Sequence, residues 1–446
     1  MRALGNTYTS FSRRRFLAAY FSRRRFLAAS AATGLGAAAL SACGSSDSGN
    51  SSGKTTIEWW NITTTQPAKK LWAQRAKDFE AAHPDVKVKV VTLENEAYKS
   101  KMTALTTSGK LPDVFHTWGG GVLKQQIDAG LVEDLTDKTA SWTKDYVPAS
   151  LAAYQFDKKT YAVPFDIGMV GFWYNKALFK KAKIDTPPTT WSGYLDTIRA
   201  LKSAGITPIA LAGKEKWPGM YYWAYLSMRV AGLEAMQKAA TDADFTGAGF
   251  VTAGQHLKDL VALEPFQKGF LGGAYSDPNG EAALMGNGKA AMELMGQWAP
   301  TVEKDSGKGI GDDLGFFSFP SVEGGKGALT EVFGGGGGHA VRKGAPDAAV
   351  EFLKFFAEKQ FAETLVKETG LIPVSKDARP ALTDPNLTAV SDALNNATGF
   401  QLYLDQAYAP AVGQEINDSV AALIAGSKSP EQVTRSVTQV AKSEKS

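Results

Sequence analysis

Thr55-Thr56-Ile57-Glu58-Trp59-Trp60-Asn61, followed one helix later by Val86-Lys87-Val88-Lys89-Val90-Val91-Thr92-Leu93, decides the fold class. The first run reads as a buried strand. The second sets Val86, Val88 and Val90 against Lys87 and Lys89, the two-residue period of a strand exposed on one face. Between them, Pro67 to Ala82 brings Trp72, Ala76 and Phe79 onto one face at helical spacing. A helix around Ala97 to Thr107 and a strand Asp113 to His116, after Leu111-Pro112, complete a β-α-β-α-β order. Such an order calls for parallel strands joined by crossover helices.

A second α/β region starts near Tyr161-Ala162-Val163-Pro164, with a strand at Met169 to Tyr174. Trp191, Tyr194, Leu195, Ile198 and Leu201 share one face of a helix capped by Thr189 or Thr190 and ended by Gly205. Ile206 to Ala212, Ala290 to Met295 and Leu314 to Phe319 read as strands, and Pro346 to Thr369 as one long helix ending at Gly370. From Leu402 onward the pattern is helical. Some 400 residues beyond the leader exceed what one hydrophobic core usually serves, so two lobes are expected.

Ahead of these elements, Ser22-Arg23-Arg24-Arg25-Phe26-Leu27 opens an Ala/Gly-rich apolar run that ends at Leu40-Ser41-Ala42-Cys43. That is a twin-arginine export signal over residues 1–42, too short and too weakly apolar to span a bilayer. Phe11 to Ala19 duplicates Phe21 to Ala29, and the second copy, which leads into the apolar run, is taken as the working signal. Cys43 is the only cysteine, so it has no disulfide partner within the chain. Residues 43–54 form a polar tether. The formal net charge is +4, but seven arginines and no acidic residue precede Cys43, and removing them leaves −3. That balance argues against nucleic acid as a partner.

The surroundings of Cys43 resemble a bacterial lipobox, which implies diacylglycerol on the thiol and a membrane anchor. The rest of the chain resembles extracellular solute-binding proteins of family 1, the maltose-binding-protein-like receptors of carbohydrate ABC importers. The marks are Pro112-Asp113-Val114-Phe115-His116-Thr117-Trp118 before a glycine run, Tyr161-Ala162-Val163-Pro164 leading to Trp173-Tyr174-Asn175-Lys176, Gly296-Gln297-Trp298, and Gly370-Leu371-Ile372-Pro373-Val374. The resemblance implies an α/β fold of two lobes, each a mostly parallel sheet flanked by helices, with three crossover hinge segments near Val163, Phe319 and Leu371. It places the N-terminal lobe at 55–163 and 320–371 and the C-terminal lobe at 164–319 and 372–446. It further implies a monomer that closes on an oligosaccharide and is read by ABC permease subunits. No catalysis, cofactor or metal is expected.

A pyranose has apolar C–H faces and a belt of hydroxyls, so a good site combines flat aromatics with planar polar groups. Trp118 ends a strand and precedes Gly119-Gly120-Gly121, which lets its ring project into the crevice beyond the sheet. Trp298 matches the family's aromatic in the second lobe, and Trp217 lies on a loop entering a helix. Tyr222 reads equally as ligand contact or core. Trp59 and Trp60 point to opposite faces of one strand and read as packing. For the hydroxyls, Asn61, Thr63, Glu94, Asp166 and Asp405 are the candidates. Gly334 to Gly338 lacks the Gly-Lys-Ser/Thr of a phosphate loop, and Gly335 and Gly336 are expected to let backbone approach the ligand. Gly168 stands where maltose-specific members carry a ligand-binding glutamate, so the sugar need not be maltose. Xylo-, cello- or raffinose-type oligosaccharides are the nearest likeness.

The remaining motif-like strings fail on context. Gly49-Asn50-Ser51-Ser52-Gly53 imitates a nucleophile elbow but has no strand before it. Asp242 to Thr246 begins like a calcium loop, yet its twelfth position is Ala253. His83, His116, His256 and His339 have no metal spacing. The rival functions are an anchored glycoside hydrolase and a receptor for peptides or polyamines.

Overall fold

The computed structural model describes residues 53–445. The twin-arginine stretch, Cys43 and the tether as far as Ser52 lie outside the described residues.

The first sheet runs in the order Val86–Thr92, Thr55–Asn61, Val114–Thr117, Gly338–Val341, Ala162–Pro164. Four of its strands share one direction, and Gly338–Val341 opposes both neighbours. The second sheet orders Leu314–Phe317, Gly171–Asn175, Ala290–Met295 and Thr207–Ile209, with Gly171–Asn175 running against the other three. A small third sheet lies at the crossovers, where Glu331–Gly335 pairs with Gly399–Leu402 and with Gly168–Met169. The fold is thus α/β with two lobes. The chain passes between them near residues 164–171, again through the glycine run, and a third time near 370–375. That third passage hydrogen-bonds to the first, from Ile167 N–H to the Ile372 carbonyl.

Trp59 is fully buried on one face of the first strand, edge-on to Phe352 and Phe356 at 5.2 Å. Trp60, on the other face, donates its indole N–H to Glu58 at 3.0 Å. The expected opposite orientations follow from the strand's alternation. In the second lobe, Phe319 stacks on Tyr225 at 4.7 Å. The buried Arg229 guanidinium donates to the carbonyls of Ala328 and Glu331, pinning the approach to the glycine run onto this lobe.

The strand expected over Ile206 to Ala212 keeps only Thr207–Ile209, and two further elements differ in kind from the sequence expectation. The strand expected at Met169 to Tyr174 is divided at Val170, which leaves the sheets to donate to the Phe333 carbonyl and accept from the Tyr225 hydroxyl at 2.5 Å. The helix expected from Pro346 to Thr369 is two helices, Ala348–Phe356 and Lys359–Thr369. The break turns Glu358 toward Arg75 at 2.7 Å and lets both Phe356 and Phe361 reach Trp72. Among the described residues no helix is long and apolar enough to cross a membrane.

Candidate functional site

A cavity of about 260 Å³ lies between the lobes, walled by segments just past strand ends of both sheets. That is where open α/β sheets hold ligands. Thr63 follows the first strand, Glu94 the second and Trp118 the third. Trp217 follows the strand Thr207–Ile209, and Trp298 follows Ala290–Met295. Asp166, Gly336 and Asp405 complete the predicted residues on the wall.

The Trp118 ring is half-buried and held edge-on by His116 at 4.5 Å and Tyr98 at 6.1 Å, with Lys99 Nζ 5.6 Å from its centroid. Glycine is required after it, because Gly119 has φ +77° and a Cβ there would lie 2.2 Å from the Ala153 carbonyl oxygen. Trp298 folds back over Gly296, while its ring stands 6.3 Å from Tyr403. Trp217, on the cavity wall, packs on Tyr275 at 5.8 Å and keeps a buried indole N–H without a partner.

Charge is distributed unevenly. Asp166 is buried, accepting from the Gly337 N–H at 2.5 Å and from Gln297 Nε2 at 2.8 Å. Burial pushes its carboxyl up to about 7 in spite of those two donors. Glu215 is likewise pushed up to about 7, by burial and by Glu96, Glu94 and Asp277, although the Tyr275 N–H donates to it. Burial works against the charge on Lys99, but Asp405 at 2.8 Å and Glu96 at 3.2 Å outweigh it and raise its pKa. His116 and His339 are paired across the first sheet and both are lowered by burial, His339 to about 3, so both are neutral. Among the described residues no group of His, Cys, Asp or Glu side chains is placed to hold a metal.

Three predicted residues are not on the wall. Asn61 is buried beneath it, where its Oδ1 accepts from the Thr63 N–H at 3.1 Å and the Thr92 hydroxyl at 3.2 Å. It shapes the turn that presents Thr63. Tyr222 is fully buried against Phe172, and its neighbour Tyr221 faces the cavity. Gly335 lies under the Tyr403 ring, 2.5 Å from where its Cβ would stand. The glycine run therefore serves mainly to let the crossing chains touch: a Cβ on Gly334 or Gly336 would meet the carbonyl of Gly168 or Asp166 at 2.2 and 2.1 Å. Lys99, His116, Glu215, Tyr221, Tyr275, Gln297 and Tyr403 line the cavity without having been singled out from sequence. Of these, His116, inside Pro112 to Trp118, and Gln297, inside Gly296-Gln297-Trp298, stood in quoted motifs.

Residues 61–363 match the family model of the bacterial extracellular solute-binding protein. The chain belongs to that family. This solute-binding protein is 29% identical over 308 residues to the multiple sugar-binding protein of Streptococcus mutans, covering 66% of this chain and 69% of the relative. A structure from work on xylan utilization by Caldanaerobius polysaccharolyticus superposes with a TM-score of 0.81 at 30% identity, covering 86% of this chain and 99% of the other. A chitin oligosaccharide binding protein gives a TM-score of 0.81 at 27% identity over 87% and 98%. In this solute-binding protein the space above Gly168 is filled by Gln297, whose Oε1 lies 1.7 Å from where a Cβ would be. A side chain at 168 would displace the amide that Asp166 holds.

Proposed function

We propose that this protein captures an oligosaccharide outside the cell and delivers it, unmodified, to an ABC importer by closing its two lobes. The observation that carries this reading is an interlobe cavity in which Trp118 from one lobe and Trp217 and Trp298 from the other meet carboxylates from both. Thr63, Glu94, Asp166, Gly336 and Asp405 would meet the sugar together with these tryptophans; Asn61, Tyr222 and Gly335 support them from behind. Each stacking ring contributes ~0.5 to 1.5 kcal/mol beyond burial, and each hydrogen bond to a charged acceptor ~1.5 to 3 kcal/mol. Two or three of each sum to ~4 to 13 kcal/mol, to which apolar burial adds and from which the costs of association subtract, and this brackets the ~8 kcal/mol of a micromolar complex.

The lobes are taken as 55–163 with 320–371 and 164–319 with 372–446, except that the Arg229 contacts favour counting residues 320–333 with the second lobe. The chain would be exported by the second arginine motif, anchored through diacylglycerol on Cys43 to the outer face of the cytoplasmic membrane, and docked as a monomer on its permease.

Thermal-shift titration with xylo-, cello-, malto- and chito-oligosaccharides, raffinose and stachyose tests this, followed by mass analysis of the recovered sugar. At least one saccharide is expected to raise the melting temperature and come back intact. Shortened products would make the protein a hydrolase, and a response confined to peptides or polyamines would make it a different receptor.

A further inference from the structure

Behind Trp118 a second, larger hollow of about 470 Å³ opens between the helices Asn95–Ser108 and Gly120–Asp128 on one side and Pro410–Ile424 on the other. It shares Lys99, His116, Trp118, Asp405 and Gln406 with the cavity described above. The partition between the two is therefore the Trp118 ring and the Lys99–Asp405 ion pair. The charged side chains lining the hollow are Glu96, Lys99 and Asp405, and all three are tied to one another through Lys99. The remaining polar wall is amide and hydroxyl.

Three of those wall groups are more than nine-tenths buried and keep a polar atom without a partner: Gln126 Oε1, Asn417 Oδ1 and His116 Nε2. Their other polar ends are committed where bonds exist, Gln126 Nε2 to the Thr106 hydroxyl at 3.2 Å and Asn417 Nδ2 to Asp405 at 3.4 Å. Two free carbonyl oxygens and a neutral imidazole nitrogen suit a ligand rich in hydroxyl donors and repay no anion. The first cavity, at about 260 Å³, falls just below the ~300 to 1,000 Å³ of small-ligand sites, and the two hollows together fall within that range. The outer rim, at Ser100, Gln125 and Gln414, is exposed, so a chain longer than the hollow can run out to solvent.

Resting on the saccharide reading above, we propose that this hollow is a second subsite, which receives the further rings of an oligosaccharide that passes the threshold formed by Trp118 and the Lys99–Asp405 pair. The protein then selects for chain length: short saccharides fill the first cavity, and longer ones gain contacts with Gln126 and Asn417.

Titration calorimetry with a two- to six-ring ladder of whichever xylo-, cello-, malto- or chito-oligosaccharide binds tests this in the wild type, Gln126→Leu, Asn417→Leu and Gln414→Trp. None of these three positions lines the first cavity. The wild type is expected to gain at least tenfold in affinity between two and four rings, and the variants to lose most of that gain while holding the two-ring ligand within about twofold. Gln414→Trp plugs the hollow from its exposed rim and decides the matter should either core variant fail to fold. A flat ladder in the wild type with the two-ring sugar bound, or a gain that survives in the folded variants, overturns the subsite and leaves the receptor reading standing. A wild type that binds no member of any ladder and no saccharide of the thermal-shift panel overturns both.

Discussion

Replacing Trp118 with alanine weakens saccharide binding at least tenfold in titration calorimetry, the equivalent of about 1.4 kcal/mol. Aromatic side chains bury ~150 to 250 Å² in full contact, and Trp118 keeps at most about a third of its surface exposed in the free protein, so up to ~50 to 80 Å² remain for a sugar face. At ~25 cal/mol per Å² that surface contributes up to ~1 to 2 kcal/mol. The ring is already fixed by His116, Tyr98 and Lys99, so little entropy is lost when the sugar arrives. Trp118→Phe, with a smaller platform, should fall between. An unchanged affinity in the alanine variant removes Trp118 from the site.

Asp166→Asn is expected to move stability and binding in opposite directions. The Asp166 carboxyl is pushed up to about 7 by burial, so the folded state holds a proton that the unfolded state releases near its ordinary value of 3.8. Its contribution to stability is therefore complete below about 3.8 and is lost as pH rises to about 7, at a slope approaching ~1.4 kcal/mol per pH unit. Glu303, also pushed up to about 7, and Glu293, raised well above its usual range beside it, act in the same sense. The wild type should melt higher at pH 5 than at pH 8. Asparagine keeps an acceptor for the Gly337 N–H and can donate to Gln297 Oε1, which now lacks a partner. The variant should gain on the wild type as pH rises from 4 to 7, and at pH 8, where the wild-type carboxyl is ionised, it should bind sugar more weakly for want of a charged acceptor. Denaturant unfolding across that interval checks it, and a gap between the two proteins that does not change with pH contradicts it.

The strands were legible wherever one face alternates or a run is bounded by turn residues: Thr55–Asn61 and Ala290–Met295 end where their sequence patterns end. The break at Val170 was not, because both halves of Met169 to Tyr174 are buried and only distant partners, Phe333 and Tyr225, draw them into different sheets. Trp118 could be singled out because a strand end and a glycine run set its position, and Trp298 because it matches the family's aromatic in the second lobe. Tyr222 stayed open between ligand contact and core because the helix Trp217–Ala231 is buried on nearly every side, and a helix without a polar face has no readable phase. Lys99 reads in sequence as one more solvated lysine of an exposed helix. What makes it part of the site is Asp405, 306 residues away, and only the fold brings the two together.

Closure of the two lobes on the bound sugar is tested most directly by small-angle X-ray scattering of the protein alone and saturated with its tightest saccharide. A smaller radius of gyration and a shorter maximum dimension in the saturated sample are the predicted result. Superimposable curves, with binding confirmed in the same samples, would contradict it.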